Sequence, residues 1–434
     1  MRAPALIAAF AFTLPACAGE TPDPADSPAW HEPVRVATGA AHEGPWRMNE
    51  SDFRYVDDPT VALYPNGDVG VAWVDQAEQN VFFQRYTNGE AVSEEPANVS
   101  QSPEIFSWLP RLVIRGETVY ALWQEIVFSG GTHGGEAFFA RSTDDGQNFE
   151  APQNLSDTTN GVGKGRLTER SWHNGSLDLA AAGGTLYAAW TAYQGPLHLS
   201  RSIDGGESWS EPMLVAGGED ELPARGPSLA VGPDGRVHLA WAVGEHAAAD
   251  IRHATSTDRG ETFSDPQRVH VSRAHDDAPK VAVYDDGTVH LAWMASTGGA
   301  FRDSRVLYAR KTDEAESFTD PETLSLPLPE GFTSAGFPHL ALDANGDPVI
   351  LFELFEHRAQ RGTGLALVRS GNGGKTFKEP QMVPRGGEQA AGVNGSRQGL
   401  LMDKLAVTAA GNIVVVNSTF DEDVASHVWL MQSK

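Results

Sequence analysis

The chain has 434 residues, with 58 Asp and Glu against 32 Lys and Arg, a formal net charge of −26 and a pI of about 4.8. So acidic a surface repels phosphate backbones and excludes nucleic acid as a partner. Forty per cent hydrophobic residues suffice for a core, while 45 Gly, 11 Trp and one Cys describe a turn-rich chain that leans all-β and packs without disulfides.

The chain opens "MRAPALIAAFAFTLPACAGE". Arg2 precedes an apolar stretch, Ala5 to Leu14, that is too short to anchor in a bilayer by spanning it. The string Leu14-Pro15-Ala16-Cys17 that follows resembles a bacterial lipobox, and it holds the single Cys of the chain. The resemblance implies a signal peptide over 1–16 and lipidation of Cys17. Ala18 after Cys17 points to the outer rather than the inner membrane of a bacterial envelope. Residues 18–29, "AGETPDPADSPA", are Pro-rich and acidic without apolar periodicity, so 17–29 reads as a lipid-anchored tether and 30–434 as the folded body.

A repeat runs through that body. "RSTDDGQNFEAP" (141–152), "RSIDGGESWSEP" (201–212) and "TSTDRGETFSDP" (255–266) share one pattern. "RKTDEAESFTDP" (310–321) keeps Asp313 and Phe318 but loses Ser and Gly, and "RSGNGGKTFKEP" (369–380) puts Asn372 in place of Asp. Upstream of each lies an alternating apolar run ending in an aromatic: Trp73, Trp123, Trp190, Trp241, Trp293 and Phe352. Each unit, about 50–65 residues long, reads as four short strands separated by Gly and Asp turns, which predicts a β-propeller of about seven four-stranded blades, with six as the alternative. The last unit has three strands and no turn motif, whereas Trp30, Glu32 and Pro33 match the start of an outer strand. The N-terminal strand is therefore expected to complete the C-terminal blade and close the ring.

The repeated string, Ser-x-Asp-x-Gly-x-x-aromatic, resembles the Asp-box or BNR repeat of the sialidase-like superfamily, over nearly the whole mature chain. Its residue types suit a hairpin staple: Asp and Ser bond backbone N–H groups ahead of them, Gly takes φ > 0, and the aromatic packs the turn down. Ser142, Asp144, Gly146 and Phe149, Ser202, Asp204, Gly206 and Trp209, and Ser256, Asp258, Gly260 and Phe263 are assigned to structure, as are Asp313, Phe318, Asn372 and Phe377. A catalytic constellation is unique, whereas these recur once per blade. The family resemblance places such turns on the rim away from the substrate face.

Chemistry is expected at the channel mouth, in loops that enter each inner strand or follow each second strand. Candidate catalytic groups are Asp57, Asp58, His173, His275, Asp276 and Glu353, and candidate substrate-binding groups are Arg170, Trp172, Arg225, Arg302, Arg305, Arg358 and Lys404. Guanidiniums suit a carboxylate, and carboxyls with imidazoles suit acid–base work. No Tyr follows Tyr308, so the late-blade Tyr nucleophile of true sialidases has no counterpart and no sialidase catalytic residue is carried over. The expected function is that of an envelope-anchored propeller that binds or processes glycans. As an enzyme it would be a glycoside hydrolase or polysaccharide lyase acting on an anionic glycan. The alternative is a non-catalytic scaffold for protein–protein contacts. A deep funnel of buried carboxylates favours the first, and a wide rim of exposed aromatics the second. The ligand is a carbohydrate or other small anion, the membrane contact is the lipid anchor, a monomer is expected, and neither cofactor nor metal is called for.

Overall fold

The computed structural model describes residues 28–127, 135–158, 163–168, 171–193, 195–244, 249–298, 302–357, 359, 361–384, 393–394 and 402–434, with backbone alone over 163–168 and 171–175. Seven antiparallel sheets follow one another as blades of a propeller. Their inner strands are Val56–Leu63, Ser107–Arg115, Ser171–Ala182, Ala224–Val231, His275–Val283, Ser334–Leu342 and Leu405–Val407, for blades 1 to 7 in chain order. Among the described residues no helix is long and apolar enough to cross a membrane.

Each blade is apolar on both faces and buries both against its neighbours. Among the described residues eight clusters result, one between each pair of adjacent blades and a second between blades 5 and 6. The aromatics that end the alternating runs are their largest members, with Trp123, Trp190, Trp241, Trp293 and Phe352 fully buried.

The ring closes as the sequence predicts. Val34–Gly39 pairs antiparallel with Ala425–Gln432, with Val34 opposite Leu430 and Thr38 opposite His427. The first strand in sequence is thus the outermost strand of the last blade.

The repeated turns share one set of hydrogen bonds. In the second, Ser202 Oγ donates to Asp204 Oδ1 at 2.7 Å, Gly206 N donates to Ser202 Oγ at 2.8 Å, and Ser208 N donates to Asp204 Oδ1 at 3.0 Å. The Ser142–Asp144, Ser256–Asp258 and Ser370–Asn372 turns repeat it. The aromatic reaches further than its own turn: Phe149 packs on Phe83, Trp209 on Phe139, Phe318 on His253 and Phe377 on Tyr308, each on the preceding blade. Phe263 packs likewise into the cluster between blades 3 and 4. Asp313 differs. Without the Ser and Gly of its copy, it accepts from Arg236 NH1 of blade 4 at 2.8 Å and ties two blades instead of closing its own turn.

These turns lie at one end of the channel, beside the connections between inner and second strands: Asp145 N donates to Glu117 O and Gly205 N to Gly184 O. The inner strands start at the opposite end, the mouth.

Two outcomes follow. Gly206 has φ +89, and a Cβ there would stand 2.7 Å from the Phe139 ring of the preceding blade. Gly206→Ala should therefore lower stability by about 1–3 kcal/mol, measured by urea unfolding. Removing residues 30–37 opens an edge on the last blade and should consume much of a net stability on the order of 5–15 kcal/mol, so thermal unfolding loses cooperativity. A truncated chain that melts like the intact one contradicts this closure.

Candidate functional site

An inner strand has a partner on one side only, so its free edge faces the channel and its N–H groups need acceptors. The preceding blade supplies them. Leu109 N donates to Asp58 Oδ2 (3.3 Å), Gly226 N to Ser176 Oγ (3.3 Å), Leu229 N to Asp178 Oδ2 (2.7 Å) and Val281 N to Ser228 Oγ (3.1 Å). Blade 7 serves blade 1 through Asp403 O, which accepts from Val61 N at 3.0 Å.

A second feature recurs in the same strands. Asp58, Leu109, Gly226, Ala278 and Phe337 each precede a proline, have φ between 50 and 61, and sit at or opposite a shift in pairing register. This bulge re-aims the residue after the proline: Thr60, Arg111, Ser228, Lys280 or His339. By register, Asp178 and Lys404 are their counterparts in blades 3 and 7.

Contacts from this level cross the channel. Arg111 Nε of blade 2 lies 3.8 Å from Asp178 Oδ1 of blade 3 and 3.5 Å from Asp403 Oδ2 of blade 7, and Lys280 Nζ of blade 5 donates to Asp403 Oδ1. Burial pushes the Asp403 carboxyl up, but Lys280 and Arg111 outweigh it and hold it at about 2. Burial raises Asp178 to about 6. His339, buried among Lys404, Lys280, Asp403 and Arg111, is held well below the usual imidazole value, first by burial and then by the lysines.

Nearer the mouth, blades 4 and 5 build one group. Arg225 Nε donates to Asp277 Oδ2 at 3.1 Å, and Arg225 NH1 donates to Gly244 O. His275 Nε2 lies 3.2 Å from the same Asp277 oxygen and 3.4 Å from Arg225 NH2. All three side chains are buried. Asp276 is next in the strand, and its backbone N donates to Ala249 O at 3.0 Å. Burial, with Asp250 adding to it, raises the Asp276 carboxyl to about 7, while Ser272 and Trp293 beside it oppose the shift.

The other candidates fall elsewhere. Asp57 accepts from Gln76 Nε2 at 2.9 Å, and Gln76 Oε1 accepts from Trp108 Nε1 at 2.9 Å, at the mouth between blades 1 and 2. Asp58 is fully buried, and burial followed by Asp57 raises its carboxyl well above the usual range. Glu353 and Lys404 pair at 2.6 Å between blades 6 and 7, with Asn394 Nδ2 donating to Glu353 and Lys404 donating to Asn417. Arg302 is exposed, and Arg305 donates to the carbonyls of Ser304 and Thr333. Trp172 and His173 lie on the inner strand of blade 3, while Arg170, Arg358 and Cys17 are outside the described residues. The structure thus brings Arg225 and His275 together on Asp277, sets Asp276 on the other face of that strand beside Ser272 and Trp293, and sets the pairs Asp57–Asp58 and Glu353–Lys404 apart from them. Among the described residues no group of three His, Cys, Asp or Glu is placed to hold a metal.

Reading the sequence missed Arg111, Asp178, Lys280 and His339, which fill the channel. The recurrent proline of the inner strand was the signal for three of them. Asp178 had none, because blade 3 carries Ser176-Leu177 where blades 1, 2, 4, 5 and 6 carry the proline step.

No protein-family model matches the sequence, and no curated protein matches it. Solved structures do match. An ulvan lyase, described as a new family of polysaccharide lyase and bound to -[GlcA(1-4)Rha3S]-, is 12% identical with a TM-score of 0.57, covering 92% of this chain and 95% of its own. A protein of unknown function from Dyadobacter fermentans is 14% identical with a TM-score of 0.50, covering 93% and 99%. A Hadza microbial sialidase is 16% identical with a TM-score of 0.46, covering 86% and 74%. At these identities the likeness is one of fold alone.

Asp276 makes stability depend on pH. The folded chain keeps its proton up to about pH 7, whereas the unfolded chain releases it near the ordinary carboxylate value. This group's contribution is present at acid pH and is lost as pH rises through that window, by about 1.4 kcal/mol per unit. Asp276→Asn should flatten the fall in stability between about pH 4 and 7, measured by urea unfolding across pH. A variant with the wild-type slope would show that the carboxyl is not held protonated.

Proposed function

We propose that this propeller binds and processes a uronate-containing anionic glycan at the channel mouth, with the Arg225–His275–Asp276–Asp277 group of blades 4 and 5 as its working centre. The observation that carries the reading is that Arg225 is held on Asp277 at the mouth end, and that Asp276, whose carboxyl burial raises to about 7, is the adjacent residue of the same inner strand as Asp277. A guanidinium there neutralises a sugar carboxylate and so acidifies the adjacent C5 proton. A carboxyl poised near neutrality exchanges protons at the pH of the surroundings. Together they suit β-elimination. A base removes the C5 proton, the C4–O bond breaks, its electron pair leaves on the glycosidic oxygen, which takes up a proton, and a C4–C5 double bond forms.

Hydrolysis fits less well. It needs two carboxyls facing each other across the bond to be cut. Asp57 and Asp58 are instead adjacent in one strand, each tied to a different neighbour. The buried carboxylates also favour a glycan site over a protein scaffold. The ulvan lyase, whose structure holds a glucuronate-containing glycan on the same fold, supports the choice of substrate class.

The same reading places the protein on a bacterial envelope, most simply the outer membrane, through acylated Cys17. Cys17→Ser should move it from the membrane to the soluble fraction or leave it unprocessed, and equal membrane association of both forms would refute the anchor.

For the chemistry, soluble protein from residue 28 onward is incubated with ulvan, polygalacturonate and neutral arabinan. Ultraviolet absorbance of the new double bond is expected with a uronate polymer and not with arabinan. Asp276→Asn should lower kcat by about a hundredfold or more. Absence of both binding and cleavage with every uronate polymer would overturn the reading.

A further inference from the structure

The segment that joins the outer strand of blade 7 to the inner strand of blade 1 lies against the mouth-end loops of blades 1 and 2, and it carries an exposed tryptophan. His42–Glu43 pairs with Phe53–Arg54, and Gly44 N donates to Asp52 O. Within the tip, Arg47 N donates to Ser51 Oγ at 2.6 Å, and Ser51 Oγ donates to Met48 O at 2.7 Å. Asn49 pins the tip to blades 1 and 2: its Nδ2 donates to Ile126 O, its Oδ1 accepts from Phe106 N, and its carbonyl accepts from Gln79 Nε2. The tip is therefore held from both strands of its hairpin and from two blades.

Trp46 stands on this tip, 47% exposed. Its indole lies 5.2 Å from the Trp108 ring, 6.0 Å from Phe53 and 6.2 Å from Phe106, all three of which are buried. One side of the ring is fixed on this aromatic base and the other is left to solvent. Trp108 continues through Gln76 to Asp57, so the platform is joined to the mouth of the channel by direct contacts. On the other face of the same hairpin, Arg54 donates to both oxygens of Asp52, which also lies 3.6 Å from His42 Nε2.

We infer that Trp46 is a stacking platform for one pyranose ring of the glycan that enters the mouth, an inference that rests on the function proposed above. The C–H face of a sugar is an apolar patch of about one indole's size, which suits a ring fixed on one side by Trp108, Phe53 and Phe106. A folded protein partner needs about 800 Å² per side, far more than one ring with Met48 beside it offers. Pre-fixing the ring removes the ordering cost that an exposed side chain normally brings to binding.

The test is affinity electrophoresis in gels holding ulvan or polygalacturonate, with sedimentation velocity on the same proteins. Trp46→Ala should bind about tenfold more weakly, and Trp46→Phe, which keeps a flat ring, should stay near wild type. Trp46→Ala retarded as strongly as wild type would overturn the platform and leave the proposed function standing. Wild type retarded by neither polymer would overturn both. A dimer that Trp46→Ala dissolves would assign the ring to a second copy of the chain and likewise overturn the platform.

Discussion

Seven sheets arranged radially leave seven free inner edges, all facing one channel. Every N–H on those edges must find an acceptor or carry the cost of a buried unpaired donor. The chain meets this demand with side chains of the preceding blade, Asp58, Ser176, Asp178 and Ser228 among them. Once carboxylates are committed to the channel wall they need cations, and Arg111 and Lys280 answer from across it. The polar interior is thus a consequence of closing the ring.

That constraint also explains why the molecule has two unlike ends. At one end the hairpin turns clamp neighbouring blades together, through Trp209 on Phe139 or Phe377 on Tyr308, and leave nothing over for chemistry. At the other end the inner strands begin before their bulge. There Arg225, His275 and Asp277 bond to one another, with Asp276 protonated up to about pH 7 beside them. A carboxyl held as Asp276 is, far from its ordinary state by burial, is costly to stability once it must ionise.

Much of this was legible in the sequence. The turn strings and the alternating runs ending in Trp are local patterns with fixed spacing, so blade count and strand order followed from them. Closure followed too, because Trp30, Glu32 and Pro33 repeat an outer-strand start. The candidate site was legible only in part. Arg225, His275 and Asp276 stood out because they enter inner strands, but nothing local showed that Glu353 would pair with Lys404, since that pairing joins residues 51 apart on different blades. The channel residues Arg111, Lys280 and His339 were missed because each is a lone charge or imidazole within an apolar strand. Their meaning lies in the proline before them, and that proline gains its meaning only when the blades are superposed. Asp313 shows the reverse case: its turn copy had decayed in sequence, and its carboxylate had been taken over by Arg236 of the preceding blade.

The central claim is that the two ends have separate duties. Hydrogen–deuterium exchange of the intact soluble propeller, with and without a saturating ulvan oligosaccharide, tests it directly. The account predicts slowed exchange at the mouth, in residues 44–54, 224–226 and 272–278, with the turns at 142–149, 202–209 and 256–263 unchanged. Protection confined to those turns, or spread evenly over both ends, would contradict it.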